Sequence, residues 1–67
     1  MIDSYSARIE EISVPVDWMT CKCAYAVYRT PWYKTNDGYS HAMREELFNV
    51  YTDKHIAEAV VKLIEAN

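Results

Sequence analysis

The sequence predicts an α+β fold: a three-stranded antiparallel β-meander with one C-terminal helix packed on one face (β-β-β-α), in a single small globular domain spanning residues 1–67. Three observations predict it. From Lys54 to Asn67, apolar and polar residues separate at helical spacing. Cys21–Tyr33 is rich in Cys, Tyr, Val, Thr and Trp, residue types suited to a pleated surface. Between them, Lys34-Thr35-Asn36-Asp37-Gly38 places the only glycine directly after Asn-Asp, the chemistry of a tight turn.

The first strand rests on alternation. Ile12, Val14 and Val16 alternate with Ser13, Pro15 and Asp17, the period-two pattern of a strand with one buried face. Pro15 has no N–H to give a neighbour, which assigns this strand to a sheet edge. Ala7–Glu11 fits either an extension of the strand or a helical turn. After the second strand and its turn, Glu45–Thr52 is expected as the third strand. Glu46, Phe48, Val50 and Thr52 would lie on one face, with Leu47, Asn49 and Tyr51 on the other. Folding about Asn36–Gly38 would set Arg29 opposite Glu45 and Val27 opposite Leu47. Ser40–Leu47 also contains good helix formers behind a capping serine, so the alternative fold is a β-hairpin followed by two helices.

The terminal helix begins after Thr52 or Asp53, either of which can accept from a free N–H of the first turn. Ile56, Ala57, Val60, Val61 and Ile64 form its apolar face, and Lys54, Glu58, Lys62 and Glu65 its polar one.

Composition narrows the functional classes. About half the residues are apolar and a quarter charged, as in folded proteins rather than disordered ones. The net charge of −3 supplies no clustered positive field for a phosphate backbone, which disfavours nucleic acid as a partner. A DNA-mimicking acidic surface is disfavoured too, because bases interrupt the acids in Arg8-Ile9-Glu10-Glu11 and Arg44-Glu45-Glu46. No segment has the apolar length of a membrane span, and the N-terminus lacks a secretory pattern, so a cytoplasmic location is expected.

No catalytic, metal or cofactor motif stands out. Cys21 and Cys23 would share a strand face, but their spacing suits neither a redox Cys-x-x-Cys pair nor a zinc site completed by His41 and His55. Reduced cysteines packed in or near the core are expected instead. Glu10-Glu11 and Glu45-Glu46 would point to opposite faces of their strands, so neither pair converges on one ligand.

Aromatic residues are more informative. Tyr5, Trp18, Tyr25, Tyr28, Trp32, Tyr33, Tyr39, Phe48 and Tyr51 are more large rings than one small core can hide. Tyr, Trp and Arg dominate binding hot spots because they bury large areas at small entropic cost. Tyr28, Arg29, Trp32 and Tyr33, with Tyr39 across the turn, are therefore the expected contact residues. The expected function is that of a non-enzymatic module docking on a larger protein or complex, as an inhibitor, adaptor or small regulatory subunit. Phage and mobile-element accessory proteins offer the analogy for such a role. Two alternatives use other partners: a structural homodimer formed through a strand edge or the uncovered sheet face, and a single-stranded nucleic-acid binder stacking bases on its aromatics.

Overall fold

Two long strands form the framework of the molecule. The computed structural model describes residues 2–66, with β1 at Ile2–Pro15 and β2 at Cys21–Lys34 forming an antiparallel hairpin. Ala7–Glu11 is thus strand, continuous with the alternating segment after it. β1 is the outer strand, the position at which Pro15 is tolerated.

The third layer of the meander is split. β3 (Ser40–Ala42) and β4 (Glu46–Tyr51) both pair with the free side of β2, against Trp32–Lys34 and Tyr25–Arg29 respectively. The interruption lies opposite Pro31, whose nitrogen has no hydrogen to donate, while its carbonyl still accepts from the N–H of Met43 at 2.8 Å. Residues 40–47 are therefore not a helix, and the hairpin-plus-two-helices alternative does not form.

The register differs from expectation. Arg29 pairs with Glu46, Tyr28 with Leu47 and Val27 with Asn49, leaving Phe48 as the extra residue of a bulge. The bulge breaks the alternation. Leu47 and Val50 share one face, while Phe48 turns toward the opposite one and meets Arg29.

Asp53 caps the helix α1 (Lys54–Glu65), its carboxylate accepting from the N–H groups of His55 at 2.8 Å and Ile56 at 3.4 Å. The helix lies over one sheet face and builds the core of Val27, Ala57 and Ile64. Tyr5, Ala7, Ile9, Tyr25, Tyr51, Val60 and Val61 surround it. Ile56, expected on the buried stripe, is exposed at the helix flank. Val27 is the largest side chain that is fully buried.

So small a core leaves little redundancy. Val27→Ala is expected to destabilise the fold by about 2 kcal/mol, through lost apolar contact and an unfilled space beneath the helix. Urea titration followed by far-ultraviolet circular dichroism checks this; an unchanged midpoint would contradict the assigned core.

Candidate functional site

Cross-strand pairing sorts the side chains into two sheet faces. Tyr5, Ala7, Ile9, Tyr25 and Val27 lie beneath the helix. Arg8, Glu10, Ile12 and Val14 of β1, with Lys22, Ala24, Ala26, Tyr28 and Trp32 of β2, form the other face, joined by Leu47 and Val50 of β4. No element of the described chain packs over it. Ala24 and Ala26 are nonetheless buried, because they form the floor of a groove. Its walls are the larger side chains paired with them, Ile12 and Val50. Where the groove approaches the hairpin end it widens into an apolar depression of about 160 Å³, lined by residues including Val14, Val16, Ala24, Val50 and Thr52.

The β1–β2 turn continues this surface. Asp17 organises it: one carboxylate oxygen accepts from the N–H of Met19 at 2.8 Å, the N–H of Thr20 at 2.9 Å and the Thr20 hydroxyl at 2.8 Å. The N–H of Val16 donates across the turn to the Thr20 carbonyl at 2.9 Å. This Asx-type arrangement ties down the backbone and leaves the next two side chains outside. Trp18 is 91% exposed and Met19 76%. An exposed tryptophan beside an exposed methionine, on a turn fixed by several hydrogen bonds, is a preorganised apolar projection.

The expected contact residues do not form one patch. Tyr28 and Trp32 share the uncovered face, both half-buried. The Arg8 guanidinium lies 4.4 Å from the Tyr28 ring centroid, and the Trp32 indole N–H donates to Ser6 Oγ at 2.9 Å. Arg29 and Tyr33 lie on the helix-bearing side of the sheet. Arg29 bonds Glu46 at 2.5 Å and stands over the rings of Tyr5 and Phe48; Tyr33 stacks on His41 with centroids 5.5 Å apart. Tyr39 is exposed at the far turn, where Asp37 accepts hydrogen bonds from the Thr35 hydroxyl and the N–H of Tyr39. Trp18 and Met19 carry no such weight in the sequence reading, because no Gly or Asn marks their turn. The available signal was Asp17 with Thr20 three residues on, which closes the turn through side-chain bonds.

The polar groups are dispersed. Cys21 and Cys23 share a face but are exposed rather than packed in the core, since β4 ends opposite Tyr25 and leaves the hairpin end without a third strand. Glu45 and Glu46 diverge as expected: Glu45 holds Arg8 through two 2.8 Å bonds, whereas Glu46 holds Arg29 on the other side. His55 is exposed in the first helical turn. Among the described residues no group of three or more His, Cys, Asp or Glu is placed to hold a metal ion. Among them, too, no helix is long and apolar enough to cross a membrane.

Three carboxyls are held below their ordinary range. Asp17 is lowered by the Met19 N–H and then the Thr20 hydroxyl, Asp37 by the Thr35 hydroxyl and then the Tyr39 N–H, and Glu45 by its bond to Arg8. Each prefers ionisation more in the folded chain than in the unfolded one. Their contribution is thus present above the unfolded carboxylate values, near pH 4, and is lost as pH falls through the lowered folded values. A lower melting temperature at pH 3 than at pH 6 is expected, with a smaller difference in Asp17→Ala. Equal pH dependence in the variant would show that Asp17 does not stabilise the turn.

No protein-family model matches the chain, and neither a curated protein nor a solved structure matches it.

Proposed function

We propose that this chain is a non-enzymatic protein–protein binding module that docks on a larger protein or complex, as an inhibitor, adaptor or small regulatory subunit. The hairpin end is its principal contact. The observation that carries this reading is the exposure of Trp18 and Met19 on a turn whose backbone Asp17 already holds. Large apolar side chains projected into water are unfavourable in isolation, and a partner's pocket that accepts them gains their full burial. Because the turn is ordered beforehand, little backbone entropy remains to be lost on binding.

Val16 broadens the same projection. The dispersed carboxylates and histidines favour recognition over chemistry, since a reaction needs groups converging on one shielded point.

Capture of a partner from the native host's lysate by the tagged chain tests the proposal. One stoichiometric partner is expected, with affinity falling at least about tenfold in Trp18→Ala, as for a central hot-spot residue. Circular dichroism establishes that the variant folds. Undiminished capture by folded Trp18→Ala would remove the hairpin end as the contact.

A further inference from the structure

The chain exposes more surface than its mass warrants. Its accessible area is 5225 Å², whereas a compact monomer of 7.8 kDa exposes about 4,400 Å². Its radius of gyration is 15.0 Å, against about 11 Å for a compact chain of this length. The surplus of about 800 Å² equals what one partner contributes to a standard protein interface. We infer that a second copy of this chain covers the surplus, packing its uncovered sheet face against the same face in a two-fold symmetric dimer.

The character of that face supports a self-complementary contact. Its centre is the Ala24–Ala26 groove, walled by Ile12 and Val14 on one side and by Val50 on the other. Leu47 and Val50 are 55% and 40% exposed. Two sheets stack about 10 Å apart, and the small residues at the centre let the two copies approach closely about the axis that relates them. From Lys22 to Tyr28, the charged groups at this face are Arg8, Lys22, Glu10 and Glu45, balanced in sign. A two-fold axis crossing the strands near Ala24 brings Lys22 of each copy over Ala26 and beside Glu10 of the second copy. The pattern therefore attracts its own image, as an isologous interface requires.

The open edge of β1 is the weaker surface for the same partner. Glu65 already accepts from the edge N–H of Ala7 at 3.4 Å. Glu58 lies two helical turns before Glu65 on the same side, and Glu11 faces the helix from β1. Edge-to-edge pairing of two copies would place both helices on one side and gather these carboxylates at the seam. Like charges so placed oppose strand addition.

Mass in solution reads this inference and partner capture reads the one above, so the two fail separately. Sedimentation equilibrium of the full chain is expected to give twice the monomer mass, with a dissociation constant raised at least about tenfold by Val50→Lys. Ile56→Lys, on the exposed helix flank, is expected to leave the dimer intact. Ile12→Lys, at a position the axis sets against Ile12 of the second copy, tests the same face should Val50→Lys fail to fold. Glu10→Lys and Lys22→Glu are each expected to weaken association, and their combination to restore it. A wild-type monomer at high protein concentration would overturn the inference, whatever Trp18→Ala does to partner capture. So would a dimer that survives the folded sheet-face variants, or one lost in folded Ile56→Lys.

Discussion

Contact between one stripe of the helix and one face of the sheet is the interaction on which the rest of this structure depends. Val27 stands at its centre, closed over by Ala57 and Ile64. The described residues of so short a chain include one helix to cover the sheet, so a two-layer arrangement can finish one sheet face. The other face is left as a consequence of that shortage. Its most buried residues are alanines, sheltered by their neighbours along the strands rather than by a covering layer.

Backbone chemistry then divides the molecule along its length. Pro31 cannot donate toward the third strand, and the strand separates there into β3 and β4. The bulge at Phe48 moves Leu47 to the uncovered face while sending Phe48 toward Arg29. At the other end, β4 stops opposite Tyr25, and the hairpin continues as two strands to the turn at Asp17–Thr20. The exposed apolar side chains of Val16, Trp18 and Met19 therefore collect where the sheet loses its third strand. Asp17 makes that end ordered as well as apolar, because its carboxylate replaces with side-chain bonds the backbone bonds that the turn cannot make.

Cation placement reinforces the two faces. Arg8 and Arg29 occupy opposite sides of the hairpin, each between an aromatic ring and a carboxylate: Tyr28 and Glu45 for Arg8, Tyr5 and Glu46 for Arg29. These pairs are solvent-accessible, so they contribute little energy individually. Their effect is positional. Glu45 draws the connection between β3 and β4 toward the uncovered side, while Glu46 holds the start of β4 toward the helix side. The aromatic residues around Arg29 that look like a single cluster in sequence are consequently distributed over both faces, with Tyr39 at a distant turn.

The sequence by itself determined a meander of strands followed by a capped terminal helix, the edge position of β1 and the Asn36–Gly38 turn, where Gly38 adopts φ of 89°. Each of these follows from local periodicity or from a residue's own backbone preference, which neighbours in sequence are sufficient to express. Tertiary structure decided the register of β4, the exposure of Ile56 and the cysteines, and the prominence of Trp18. A one-residue bulge changes which side chains meet across strands, and nothing local to Glu45–Thr52 specifies it. Whether Ile56 is covered depends on how the helix is rotated over β1 and β2, and whether Cys21 and Cys23 are covered depends on where β4 ends. Burial is set by which elements come to lie against a residue, and that is settled only when the sheet and helix have met.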